Sequence, residues 1–237
     1  MATSYTVLAD LRAGRCSNTA EVRLLRFWEA KNINRRGQLM SLEMLLVDEH
    51  STLIQGSVPA SIQLTFRGRL TEGSVYTLSG FDVTRSNPKF RLSDVPVFIR
   101  FNEGTAFEKI TTTTWIIPTE HFRFRSYDQI LELANTGKQL PDVMGELRAM
   151  RSTKTDRLPG AQRVMLTLRL ERREPKIVLV TSINPKIFSG KLYLNGTSAT
   201  RVFFDCETIV GEEAFNRAWR VFNKGGSCTK VRATHYC

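Results

Sequence analysis

The sequence predicts an all-β chain with short helices, arranged as tandem five-stranded barrels of which the second is incomplete. Three observations carry that expectation. Apolar and polar residues alternate over short runs bounded by Gly, Pro, Asn and Asp, the period of half-buried strands. The stretch Asn87-Pro88-Lys89-Phe90 returns as Asn184-Pro185-Lys186-Ile187-Phe188, and the two asparagines lie 97 residues apart, about the length of one small domain. The run leading to the second copy is shorter: 65 residues separate Val22 from Asn87, but 41 separate Val143 from Asn184, a shortfall of 24.

Taken in order, residues 20–30 (AEVRLLRFWEA) form a long first strand. The pair Leu24-Leu25 breaks its alternation, which a bulge accommodates. Residues 31–37 (KNINRRG) are a basic loop, and Met40, Leu42, Met44 and Leu46 then alternate with Ser41 and Glu43 along a second strand. Residues 48–51 turn the chain into a third strand over 52–58. Ile62, Phe66 and Leu70, spaced by four, predict a short helix, with Gly73 as its C-terminal stop. Two more strands flank Asn87-Pro88, because proline fixes φ and keeps the preceding residue out of the helical region. Five strands with a helix between the third and fourth is the plan of an OB-fold barrel.

Residues 113–136 read as a linker, polar and then basic-aromatic, ending in a helix capped by Ser126 with Tyr127, Ile130, Leu131 and Ala134 on one face. The domains expected are thus 1–112, the linker and helix 113–136, a shortened second barrel 137–210, and a tail 211–237. In the second barrel the strand RVMLTLRLE runs straight into KIVLVTSI, with no third strand or helix between. A barrel lacking a strand exposes backbone edges. In the tail, Phe215, Ala218, Trp219 and Phe222 recur at helical spacing, and residues 224–237 read as a disordered basic end.

The 237 residues carry a formal net charge of +11, unevenly placed: 14 basic and 11 acidic side chains in 1–112, against 20 and 12 in 113–237. A cationic surplus on an ordinary globular composition favours an anionic partner, nucleic acid before lipid. Cys16, Cys206, Cys228 and Cys237 show neither metal-ligand spacing nor a disulfide framework, so no metal and no cofactor is expected. The amino terminus lacks a signal-peptide pattern, no apolar run is long enough to span a bilayer, and an intracellular, reduced protein is the expectation, with no membrane partner. His50, His121 and His235 are scattered, without nucleophile, paired carboxylates or Gly-rich loop, which argues against an enzyme and against a small-molecule substrate.

Both Asn-Pro copies read as hairpin tips carrying a cation beside a ring, which suits single strands: phosphates need charge and unstacked bases need a π surface. The competing reading is structural, with Pro turning the chain and Phe plugging the barrel end. Phe90 shares strand parity with Leu92, and Phe188 with Leu192, so either reading fits.

Residues 39–58 (LMSLEMLLVDEHSTLIQGSV) and 74–92 (SVYTLSGFDVTRSNPKFRL) resemble the first DNA-binding barrel of the replication protein A large subunit, particularly its plant relatives. Residues 117–135 resemble that family's linker and helix, and 140–150 with 174–205 the start and end of its second barrel. The resemblance covers residues 5–210 and implies non-enzymatic, nuclear binding of single-stranded DNA in replication, repair or recombination, with other replication protein A subunits or repair proteins as partners. By position it implies base stacking at Phe90 and Phe188, with Lys89, Arg91, Lys186 and Lys191 on phosphates. Arg23, Arg26, Arg35 and Arg36 would extend the groove, and Arg85, Asn87, Asn184 and Tyr193 complete the candidate set. Where the family has a second stacking ring after the third strand this chain has Val58; Trp28 is the substitute, equally suited to the core. The chain reads as an internally shortened member, without the family's zinc-bearing third barrel.

Two alternatives stand beside single-stranded DNA. Single-stranded RNA uses the same stacking and phosphate contacts, since only 2′-hydroxyl contacts select the sugar. A protein-interaction paralogue with weak or lost nucleic-acid binding fits the missing strand and Val58.

Overall fold

A computed structural model describes residues 4–32, 35–154, 162–169 and 177–222. The chain divides into two compact units, one of Met1–Asp142 with Thr181–Arg201, the other of Val143–Val180 with Val202–Cys237.

The first unit contains a barrel. Its strands are β1 (Gly14–Cys16), β2 (Ala20–Asn32), β3 (Gln38–Val47), β4 (Leu53–Pro59), β5 (Val75–Ser79), β6 (Phe81–Arg85), β7 (Val97–Arg100) and β8 (Ala106–Ile110), with helix α1 (Gln63–Arg67) between β4 and β5. The pairing runs β1-β6-β7-β4-β3-β2-β5-β8. Strands β5 and β6 are one strand bent at Gly80, so the ladder returns on itself and closes: β5 pairs with β2, and β6 with β7. Only glycine serves at the bend, where φ is +67° and a Cβ would lie 2.6 Å from the Gly104 carbonyl oxygen. The β4–β7 pair is parallel and the other pairs antiparallel. This is the five-stranded OB topology, with β1 and β8 as additions.

Strand β2 carries the bulge expected at Leu24-Leu25, its register shifting between Leu24 and Arg26. Leu24 therefore points into the core, while Arg26 lies opposite Leu45 and Trp28 opposite Glu43 on the outer face. Inside the barrel Phe66 of α1 meets Phe101 edge-on, and Tyr76 stacks on Phe107 at 4.1 Å. Val58 is fully buried in this core, which rules it out as a surface stacking position. The helix is shorter than the spacing of Ile62, Phe66 and Leu70 implied. A 3₁₀ turn over Ala60–Ile62 precedes α1, and Gly68 is the C-cap. Gly73, at φ +80°, instead starts β5 by donating its N–H to Leu24 O at 2.7 Å.

Also in the first unit are α2 (Tyr127–Leu133) and the hairpin of β12 (Asn184–Phe188) and β13 (Lys191–Asn195). Ser126 caps α2 through a reciprocal capping box with Gln129, as its position before Tyr127 predicts. A second apolar cluster lies on the barrel's outer face, where Leu45, Val47 and Leu92 pack with Ile117, Leu140 and Ala199, and Trp28 leans on it.

The second unit holds β9 (Val143–Lys154), β10 (Gln162–Arg169), β11 (Ile177–Val180), β14 (Val202–Phe204) and helix α3 (Ile209–Phe222). They form a four-stranded sheet in the order β10-β9-β11-β14. Among the described residues no pairing closes it into a barrel, as the expectation of an incomplete second barrel has it. All four residues of β11 are buried, and α3 packs on that strand. Helix α3 covers part of the predicted amphipathic stretch. Phe215 is half-buried, and the side chains of Ala218, Trp219 and Phe222 lie outside the described residues, as does the segment 224–237.

Asp48 closes the β3–β4 turn from inside. Only 1% exposed, it accepts the N–H groups of Leu8 (2.8 Å), His50 (3.1 Å) and Thr52 (2.8 Å). Asp48→Ala strands these donors and should lower stability by about 3 kcal/mol in urea unfolding, hydrogen bonds to a charged acceptor each contributing roughly 1.5–3 kcal/mol. A loss within error of zero would show that water replaces the carboxylate.

Candidate nucleic-acid interface

The loop between β6 and β7 carries the first Asn-Pro copy. Asn87 accepts the Lys89 N–H on its side-chain oxygen at 2.9 Å, a local turn that proline reinforces. Phe90 follows at φ +56° and is 49% exposed. Its N–H donates to Gly137 O at 2.7 Å, and its ring lies over that glycine, where a Cβ would stand 3.3 Å from Cε1. Arg91 pairs on both sides, N–H to Lys138 O at 3.0 Å and its carbonyl from the Leu140 N–H at 3.0 Å. The ring is thus neither plug nor free tip: it lies half-open on a braced loop.

The second copy differs. Asn184-Pro185 lies within β12, and the turn is Ser189-Gly190, with φ +48° and +71°, the signature of a two-residue type I′ hairpin. The expectation of an Asn-Pro tip fails here for a structural reason. Pro185 is at an edge position, so its missing N–H interrupts no ladder bond. The hairpin register places Asn184 opposite Asn195, Lys186 opposite Tyr193, and Phe188 opposite Lys191. Alternation therefore gathers Asn184, Lys186, Phe188, Lys191 and Tyr193 on one face. Phe188 is 71% exposed, Tyr193 42%, and their rings meet edge-on at 6.4 Å.

The remaining candidates divide. Arg85, Lys89, Arg35 and Arg36 are exposed, as is Lys191, with Lys186 half-buried. The guanidinium groups of Arg23, Arg26 and Arg91 instead serve the fold. Arg23 donates to Gly73 O and, at 3.0 Å, to Ile117 O. Arg26 donates to Thr181 Oγ1 and, at 2.7 Å, to Ser182 Oγ, and burial pushes its pKa down. Arg91 reaches Asp94 O (2.8 Å) and Val95 O (3.0 Å) within its own loop. Trp28 is half-buried against the outer apolar cluster.

Sequence reasoning missed the residues that hold this surface together. Arg123, in the basic-aromatic linker, is only 6% exposed. Its fork donates to Leu140 O (2.8 Å), Arg91 O (3.2 Å) and Asp94 Oδ1 (3.3 Å), and burial lowers its pKa. Asp142, also buried, accepts the N–H groups of Arg123 and Ser182, each at 2.8 Å. Asn135, at φ +63° just past α2, donates its backbone N–H to Pro185 O (3.1 Å) and clasps both backbone groups of Ile187 with its side-chain amide. Pro88, Arg91, Leu133, Lys138 and Gln139 line an open recess of about 400 Å³. In sequence, the one available signal was the αL-prone pair Asn135 and Gly137 after a capped helix.

The closed five-stranded sheet with its α1 plug defines an OB-fold protein. Residues 13–133, just over half of the chain, match the family described as Domain of unknown function DUF223, and the chain belongs to that family. No curated protein matches it in sequence. Among solved structures it is similar to a replication protein A heterotrimer bound to ssDNA, with a TM-score of 0.57 and 17% identity. That match covers 94% of this chain and 56% of the other, so the chain spans little more than half of that structure's length. The HINa domain of Ifi202 in complex with 20-bp dsDNA matches at a TM-score of 0.42 and 12% identity, over 80% of this chain and 97% of the other. Schizosaccharomyces pombe Pot1pC bound to ssDNA matches at 0.35 and 7%, over 47% and 89%.

Two predictions follow from the Arg123 bracket. Arg123→Ala leaves buried carbonyls without donors and should lower stability by about 3 kcal/mol in urea unfolding. Arg123→Lys should recover only part, since one ammonium nitrogen cannot occupy both positions from which the fork's two nitrogens donate; full recovery would rule out the fork geometry. The neighbouring His121 is held below its ordinary pKa by burial and by the Arg123 charge. As pH falls, the unfolded chain therefore takes up its proton first, near the ordinary value of about 6.5. Stability present at neutral pH is lost as pH drops through that value toward the lower folded one. The melting temperature of the wild type should fall more steeply between pH 7 and 5 than that of His121→Gln; identical slopes would reject the assignment.

Proposed function

We propose that the chain binds single-stranded DNA, without catalysis, as a shortened relative of the replication protein A large subunit. The observation that carries this reading is the common anchoring of the two motifs. Phe90 is bonded to Gly137, and Pro185 and Ile187 to Asn135, so one short segment presents both aromatic tips. Exposed Arg85, Lys89, Lys138 and Lys191 lie on or beside these tips. Rings on such tips stack on bases of any sequence, and cations beside them neutralise phosphates. The fold-level likeness to a replication protein A heterotrimer bound to ssDNA supports the reading. In that role the protein works in the nucleus with other replication protein A subunits or repair proteins.

A protein-interaction paralogue is the second reading. Its specific support is that Arg23, Arg26 and Arg91, three of the candidate phosphate contacts, are engaged by the fold itself. Titration against single-stranded DNA, duplex and RNA of one sequence at two salt concentrations separates the readings. Single-strand binding that weakens steeply with salt is expected. Phe188→Ala should weaken it roughly five- to a hundred-fold, stacking contributing ~1–3 kcal/mol per base, with the melting temperature unchanged. Phe90→Ala should also weaken it, with some loss of stability from the contact over Gly137. Salt-independent affinity, or full binding by both variants, would transfer the assignment to a protein partner; equal affinity for RNA would widen it to both nucleic acids.

A further inference from the structure

Two loops far apart in sequence, each bearing an exposed ring, are hydrogen-bonded to a single six-residue stretch, 135–140. On one side the backbone of Asn135 donates to Pro185 O at 3.1 Å. Its side-chain amide adds Nδ2–H to Ile187 O at 3.4 Å and accepts the Ile187 N–H on Oδ1 at 3.3 Å. Asn135 thereby continues the hairpin sheet along the free edge of β12, its amide imitating a peptide group. Two residues on, Gly137 O accepts from Phe90, and Lys138 O from Arg91, while Leu140 donates to Arg91 O. Arg123 locks the same place from below, donating to both Arg91 O and Leu140 O. Asn135 suits the position because it tolerates the left-handed φ of +63° that ends α2, where most residues are strained.

We infer that Asn135 is a positioning residue that couples the two aromatic tips, so that one nucleic-acid strand meets them as a single preorganised surface. This rests on the single-strand reading above and specifies how that site achieves its affinity. Two tips on a flexible tether engage a strand in turn, the second at an effective concentration set by the tether. Two tips braced on one segment have lost that freedom before the strand arrives, and the ordering cost is absent from binding. A strand long enough to span both tips then gains more than a strand that reaches one.

The test compares an oligonucleotide of ~6 nucleotides with one of ~20, against a site size of roughly 4–16 nucleotides per OB fold. Both are titrated into the full chain and into Asn135→Gly. Glycine keeps the left-handed backbone and its N–H, and removes only the amide clasp. The short oligonucleotide should bind both proteins alike, while the long one should bind the variant about tenfold more weakly. The quantity read is the ratio of the two affinities, because any unfolded fraction lowers both equally and leaves the ratio unchanged. An unchanged ratio overturns the coupling, even where Phe90→Ala and Phe188→Ala each weaken binding. If the wild type binds neither oligonucleotide, or if neither phenylalanine matters, the single-strand reading itself falls, and the coupling falls with it.

Discussion

The buried guanidinium of Arg123 is the constraint on which the presentation of the first tip depends. The loop between β6 and β7 has little regular secondary structure, and a loop of its length would ordinarily sample many conformations. Arg123 removes that freedom by supplying donors to carbonyls on two chain segments and to Asp94. Burying a cation is costly, and the lowered pKa records that cost. Nearby Asp142 and Asp94 offset it, as does the fit of a planar fork to acceptors lying in different directions. A lysine would bring the same charge and three donors on one nitrogen, and so could not occupy both nitrogen positions of the fork. The bracket is paired with Asp142, whose two oxygens fix the backbone of Arg123 on one side and of Ser182 on the other.

The barrel's outer face divides into a covered part and an open part. Around Leu45 and Val47 it is capped by Ile117 of the linker, Leu140 between α2 and β9, and Ala199 of the segment after β13. Further along the same strands it is polar. Glu43 accepts from Ser41 (2.6 Å), Ser57 (2.8 Å) and Gln55 (2.9 Å), placing a carboxylate where a phosphate backbone would be repelled. Phe90, Phe188 and Tyr193 are exposed on the loop and the hairpin, while Tyr5, Trp115, Tyr127 and Phe204 are exposed elsewhere on the chain.

The first barrel was legible because its signals are local. Alternation located β3, an apolar run with the Leu24-Leu25 break located β2 and its bulge, the turn at 48–51 located β4, and Ser126 located the start of α2. The open second sheet was legible too, as a missing strand in the order of the runs. The site was only partly so. The repeated motif singled out Phe90 and Phe188, and both rings are exposed in the fold. Arg123 was not singled out: in the run HFRFR nothing distinguishes it from Arg125, and only the fold decides that one guanidinium is enclosed while the other stays half-exposed. Arg23 and Arg26 failed in the opposite sense. The family resemblance implied a place for them along a groove, but their guanidinium groups donate to residues 117 and 181–182, whose acceptors lie close in space and far away in sequence. Such acceptors leave no trace in a single sequence.

The hairpin that bears the second tip is held by residues of the first unit. Among the described residues the sheet of the second unit has four strands, in the order β10-β9-β11-β14. The hairpin that bears Phe188 and Tyr193 lies between β11 and β14 in sequence but belongs to the first unit. Its supports are Asn135 on the edge of β12, Asp142 and Arg26 on Ser182, and Arg201, which donates to Phe27 O at 3.2 Å and pairs with Glu72 at 3.3 Å. None of these residues comes from the second unit. The hairpin's register is set by its own Ser189-Gly190 turn, and the face it presents by these contacts within the first unit.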